Sequence, residues 1–217
     1  MSAINPAMVL SVPDRMGTES SRACLGIELQ KKLKAQVFPV HRLDFEVSGL
    51  IIFAKNSKAH QIAQEWFQKR FLKKYYQAQT CLQNFDFLKF WPETSKKSID
   101  QTKIENTAGQ NFLWNSKLVR GKKRTFEADH GEQATTKALI QIVADDVLNW
   151  QLEPITGKPH QLRYELCKHG FSILGDVLYG GEQRNSKGIA LRAVKLDLTG
   201  IQDRLGLPEL VTIRGLI

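Results

Sequence analysis

Leu50-Ile51-Ile52-Phe53-Ala54 is a run without a polar member. A strand open to water on one side would alternate, so this run predicts a strand covered on both faces, with Ser48-Gly49 breaking the chain before it. Beyond it Ala59, Ile62, Ala63, Trp66, Phe67 and Phe71 recur on one helical face. That stripe predicts an amphipathic helix over 58–72 packed on the sheet, with His60 beside the stripe as a surface residue. Upstream, Leu25, Leu29 and Leu33 predict a helix capped by Ser20-Ser21, and residues 8–12 a short strand ended by Pro13. Residues 75–82 alternate, with Tyr76, Ala78, Thr80 and Leu82 on the inward face. Residues 134–143 and 147–152 read as a strand pair joined at Asp145-Asp146. Between these segments, 83–133 is weakly patterned and reads as short antiparallel strands and long loops. After a strand ending at Pro154 and a turn at Gly157, a helix is expected to begin with Pro159 and stop at Gly170. Leu162 and Leu166 lie one turn apart on it, with Arg163 on its flank. Residues 189–198 give a last strand.

Composition narrows the setting. Across 217 residues, 31 Lys+Arg against 22 Asp+Glu leave a net charge of +9, which favours a polyanionic partner. Cys24, Cys81 and Cys167 are odd in number and form no CxxC pair, pointing to a reducing compartment and away from structural zinc. No stretch approaches the ~18 apolar residues of a membrane span, and the start lacks a basic, apolar leader. A cytoplasmic protein is the expectation.

The candidate chemistry sits before the apolar run, where His41-Arg42-Leu43-Asp44 places two bases and a carboxylate at the edge of the core. Partial burial raises a carboxyl pKa unless a cation compensates, and Arg42 or a more distant arginine could do so. By spacing alone an ordinary loop salt bridge competes with this reading. The helix start at 159–163 aims Arg163 toward the strand ends, where a carboxylate could meet it; pairing with Glu153 or Glu165 is the alternative. Lys117-Leu118-Val119-Arg120-Gly121-Lys122-Lys123-Arg124 puts five cations in eight residues, a phosphate-contacting hairpin or a solvated charge run. The loop Gly175-Asp176-Val177-Leu178-Tyr179-Gly180-Gly181 lacks the glycine order of a nucleotide cradle.

Four blocks occur in order: His41-Arg42-Leu43-Asp44 with Ser48-Gly49-Leu50; Lys74-Tyr75-Tyr76-Gln77-Ala78; Thr156-Gly157 with His160-Gln161-Leu162-Arg163; and Gly175-Asp176 with Tyr179-Gly180. Together they resemble the RluA-type family of RNA pseudouridine synthases. The resemblance implies one catalytic domain over 1–217, of α+β class, with a mixed, mainly antiparallel β-sheet core and flanking helices. It implies isomerisation of uridine in transfer or ribosomal RNA without cofactor or metal, with the RNA as partner; a monomer is the default expectation. Asp44 matches the catalytic aspartate, acting as nucleophile at C1′ or as base at C2′. Tyr76 matches the tyrosine that stacks on the uracil, and Arg163 the arginine that pairs with the aspartate. Arg42 matches the residue that helps displace the target nucleotide. His41, Thr156, Gly157, His160 and Gln161 are carried over as substrate-binding positions.

Departures from the family pattern are Val47 for threonine, Pro13-Asp14-Arg15-Met16-Gly17 for the usual Lys-Pro-x-Gly turn, Thr156-Gly157-Lys158-Pro159 for Thr-Gly-Arg-Thr, and Arg192 for histidine. With the catalytic blocks so near the first residue, no S4-like domain is expected, and target choice is expected to rest on the catalytic domain or a partner. Two rival functions are a non-catalytic RNA-binding protein or chaperone on the same fold, and a metal-dependent nuclease built on Asp44, His41 and Asp176.

Overall fold

The computed structural model describes residues 1–13, 21–91, 96–183 and 188–216. The chain divides into two compact units, Met1–Lys74 with Arg192–Gly215, and Tyr75–Leu191 with Leu216–Ile217.

In the first unit the apolar run becomes β3 (Ser48–Ala54). It pairs antiparallel with β1 (Ser2–Asn5) and β2 (Phe38–Pro39), and parallel with β9 (Leu191–Asp197) through Ser48 opposite Arg192 and Gly49 opposite Ala193. β10 (Leu210–Thr212) lies antiparallel to β9. Both faces of β3 are covered, as the unbroken apolar run predicts. Leu50, Ile52 and Ala54 pack with Ala63 and Trp66 of α2 (Ser57–Gln68). Ile51 and Phe53 pack with Val37 and with Leu25 and Leu29 of α1 (Leu25–Leu33). Each such aliphatic contributes about 1.5–3 kcal/mol by leaving water. Gly49 has φ +125°, and a Cβ there would stand 2.3 Å from the Ala193 carbonyl oxygen. Only glycine fits where the two parallel strands approach.

In the second unit the strands run β4 (Lys73–Cys81), β8 (Val147–Pro154), β7 (Glu132–Ala144), β5 (Asn111–Arg120), β6 (Thr125–Glu127), all antiparallel. The β7–β8 turn at Asp145-Asp146 has φ of 49° and 61°, the left-handed pair of a tight hairpin. Trp150 is fully buried at its centre, donating from Nε1 to Thr80 Oγ1 at 2.9 Å and meeting Phe112, Trp114 and Phe171 edge-on or tilted. The third helix, α3 (Gln161–Lys168), buries Tyr164 and Cys167 with Leu118, Ala134 and Tyr179. A mixed, mainly antiparallel sheet with flanking helices is the α+β class expected. Among the described residues no helix is long and apolar enough to cross a membrane.

Several local expectations are corrected. The first strand is Ser2–Asn5, not residues 8–12, because Met8 adopts φ 61° and donates its N–H to Phe45 O, turning the chain there. α1 begins after Cys24 with no side-chain cap; Ser20 of the expected cap, like Asp14 to Gly17, lies outside the described residues. α2 stops at Gln68 instead of 72: Arg70 takes φ 57°, and Phe71 N–H reaches back to Trp66 O while Arg70 N–H bonds Phe67 O. That pair of bonds is a Schellman ending, which leaves Phe71 exposed. α3 starts after His160, not at Pro159, because His160 is left-handed at φ 53°. Its end is as expected, with Gly170 at φ +82° and Phe171 N–H bonded to Leu166 O. The 83–133 region holds one long strand, β5, whose Trp114, Ser116 and Leu118 alternate into the core among polar residues.

Candidate active site

Within the first unit Asp44 opens a tight turn, its carbonyl accepting from Val47 N–H at 3.0 Å. Aspartate favours the first position of such a turn, so local chemistry alone suits this residue here. The turn is held on both sides. Buried Ser11 accepts from Leu43 N–H at 3.1 Å and donates to Leu43 O at 3.3 Å, and Met8 N–H donates to Phe45 O at 2.8 Å. Leu43 and Val47 are buried, whereas Asp44 is half-buried and Arg42 exposed. A carboxylate on so firmly tied a loop is pre-organised. Val47, the departure from threonine, fills the core with its apolar side chain.

His41, read as a substrate-binding position, has its Nε2 accepting from Ile52 N–H at 3.1 Å, and its ring lies 5.1 Å from Phe67. Burial lowers its pKa to about 3, helped by the Lys74 charge. His41 is therefore neutral with its proton on Nδ1, and it ties the loop to β3.

The second unit carries the other predicted residues. Tyr76 is half-buried on β4 opposite Leu152, on the same face as buried Ala78 and Thr80. Arg163, on the first turn of α3, is 1% exposed and grips Asp176 bidentately, Nε to Oδ2 at 2.7 Å and Nη2 to Oδ1 at 2.8 Å. The pairings with Glu153 or Glu165 weighed from spacing are replaced by this one. Glycine-bounded chain around 175–181 carries Asp176 back to the helix start, and Gly181 N–H bonds Asp176 O at 2.8 Å.

Tyr179 is the residue that sequence reasoning left without a role. Its ring lies under the Arg163 guanidinium at 5.3 Å, and its hydroxyl accepts from Thr125 N–H at 2.7 Å and faces His160 Nδ1 at 3.1 Å. Burial pushes that hydroxyl's pKa up, so it stays protonated. Its place in the 175–181 block was the available signal. Thr156 and Gln161 satisfy each other: Thr156 Oγ1 donates to Gln161 Oε1 at 2.7 Å and accepts from Thr135 N–H at 3.0 Å. Gln161 Nε2 donates to Thr135 O and Thr136 Oγ1, and Lys158 N–H donates to Gln161 Oε1. Their polar atoms build the turn before α3. Exposed Gly157 and half-buried His160 stand on that turn.

For the nuclease rival, both oxygens of Asp176 are engaged by Arg163 and Nε2 of His41 by the Ile52 amide. Two of its three residues thus serve other partners. Among the described residues no group of three or more histidine, cysteine or acidic side chains could hold a metal ion. Glu165, fully buried on α3, is a further titratable group. Burial lifts its pKa to about 7 against the pull of the Lys168 charge.

Residues 6–168 match the family model described as RNA pseudouridylate synthase. Over 160 residues the chain is 32% identical to RNA pseudouridine synthase 7 of Oryza sativa subsp. japonica, covering 70% of this chain and 36% of that protein. It is 30% identical over 162 residues to the uncharacterized RNA pseudouridine synthase YhcT of Bacillus subtilis (strain 168), covering 72% and 46%. The chain therefore spans less than half the length of these two relatives. The dual-specificity RNA pseudouridine synthase RluA of Escherichia coli (strain K12) is 28% identical over 199 residues, covering 89% and 80%. Among solved structures, human RNA pseudouridylate synthase domain containing 1 superposes with a TM-score of 0.64 at 20% identity, over 91% of this chain and 74% of that one. Human RNA pseudouridylate synthase domain containing 4 gives 0.63 at 20% identity, over 92% and 80%. At that identity the likeness is one of fold.

Proposed function

Because this chain belongs to the RNA pseudouridine synthase family, in its RluA-type branch, we propose that it isomerises one or more uridines of transfer or ribosomal RNA to pseudouridine, with Asp44 as the catalytic carboxylate. The observation that carries the reading is the family match running from residue 6 to 168, through the loop of Asp44, the strand of Tyr76 and the helix of Arg163. The match crosses from one unit into the other, which supports treating 1–217 as one catalytic domain.

The target nucleotide must first leave its stack, and exposed Arg42 helps displace it. Asp44, ionised, then either attacks C1′ or removes the C2′ proton, and the N1–C1′ bond breaks. The freed uracil turns on the Tyr76 ring and forms the C5–C1′ bond, as the Asp44–C1′ ester bond breaks in the first route or as C2′ regains its proton from Asp44 in the second. The C5 proton leaves and N1 takes up a proton, so no atom is gained or lost. Arg163 is the cation this reading assigns to the aspartate, since a fixed cation offsets the cost of burying a carboxylate. Asp176 and Tyr179 hold Arg163, and Ser11 and His41 hold the Asp44 loop. Thr156 and Gln161 shape the turn that carries Gly157 and His160 to the RNA.

The test is carbodiimide labelling and primer extension on total RNA from cells with and without this gene. One or a few stops lost from transfer or ribosomal RNA are expected. An unchanged map contradicts the reading and favours the non-catalytic RNA-binding alternative.

A further inference from the structure

The β5–β6 hairpin is closed by Gly121 N–H donating to Arg124 O at 2.9 Å, and a Cβ on Gly121 would stand 2.7 Å from that oxygen. So tight a turn leaves Lys122 and Lys123 exposed at the tip, beside exposed Arg120 at the end of β5. Arg124 lies over the Trp91 ring at 4.7 Å. Among the described residues none of these four cations forms an ion pair with a carboxylate, whereas Lys158 and Lys168 are paired with Glu132 and Glu127. Four uncompensated cations in five residues make a concentrated positive field.

The hairpin is also tied to the segment that holds Arg163. Thr125 Oγ1 donates to Pro159 O at 2.7 Å, Thr125 N–H donates to the Tyr179 hydroxyl at 2.7 Å, and Arg120 Nη1 donates to His160 Nε2 at 3.0 Å. Arginine only donates, so Nε2 of His160 is the bare nitrogen and Nδ1 carries the proton facing Tyr179. The Tyr179 ring in turn supports Arg163. The tip is therefore anchored relative to Arg163, unlike a solvated charge run.

We propose that the Arg120–Arg124 tip is a docking surface for the phosphates of an RNA strand, setting where the strand lies relative to Arg163. This rests on the reading of the chain as an RNA-modifying enzyme and adds where the RNA backbone is held. Phosphates spaced along a strand match cations on a rigid turn, and each neutralised phosphate releases counterions.

The test compares Lys122→Ala/Lys123→Ala with Lys31→Ala/Lys32→Ala, which removes the same charge from the exposed side of α1. Binding of a fluorescein-labelled transfer RNA transcript is followed by anisotropy across a potassium chloride series, with matched thermal melts as the folding control. The hairpin variant is expected to weaken binding about tenfold at moderate salt. It is also expected to lower the slope of log affinity against log salt by about 1.5, at roughly 0.7–0.9 per phosphate. The α1 variant is expected to leave the slope unchanged. An unchanged slope in the hairpin variant, an equal fall in both variants, or no salt-dependent binding by the wild type each overturns the proposal. The assay reads no isomerisation, so docking without pseudouridine formation contradicts the function alone, and pseudouridine formation without the slope change contradicts the docking surface alone.

Discussion

Glu165 shows how one side chain can set the pH response of the second unit. Its carboxyl is raised from 4.5 to about 7 by burial, so the folded protein holds this proton more tightly than the unfolded chain. Its contribution is most favourable below about pH 4.5, declines as pH climbs to about 7, and is level above that. The full penalty is on the order of 3 kcal/mol. Glu165→Gln should therefore raise stability in urea at pH 8 while changing it little at pH 4.5. Equal effects at both values would contradict this assignment. Arg163 shows what residue-level reading can miss. Its place at a helix start beside the strand ends was legible from Gly157, Pro159 and the Leu162/Leu166 spacing. Its grip on Asp176, 13 residues away, was not, because that contact depends on the path of the 175–181 loop and not on any helical or strand period.

Among the elements, those with strong periodicity were read correctly in type and place. β3 announced itself by five apolar residues in succession, and α2 by its stripe. Their ends were less legible. Arg70 and His160 turn left-handed without being glycine or asparagine, a choice made by the bonds of Phe71 to Trp66 and of His160 to Arg120 and Tyr179. Where glycine stops α3, at Gly170, the sequence carried the signal; Ser48-Gly49, read as a break before the strand, instead lies within β3, with Gly49 opposite Ala193. Gly49→Ala should cost at least ~2 kcal/mol, since φ +125° is closed to alanine and its Cβ meets the Ala193 backbone. Urea unfolding checks this, and a loss within ~0.5 kcal/mol would mean β3 and β9 can part without penalty.

For the whole molecule, the excess of 31 basic over 22 acidic residues and four ordered sequence blocks together pointed to RNA and to one family. The blocks were legible because they are long and ordered. Composition alone carried only the sign of the partner's charge. The chemistry assigned to Asp44, Tyr76 and Arg163 asks nothing of a metal. Pseudouridine formation in vitro should thus proceed at an unchanged rate in excess EDTA, provided the RNA is prefolded; loss of activity restored by a divalent cation would count against this mechanism.

The central claim is that Asp44 is the catalytic carboxylate, and Asp44→Asn tests it most directly. Asparagine keeps the size and the turn-forming chemistry of the site while removing the ionised oxygen. Pseudouridine formation on the mapped RNA should fall at least ~1,000-fold with RNA affinity and melting temperature nearly unchanged. Turnover within tenfold of the wild type would contradict the account.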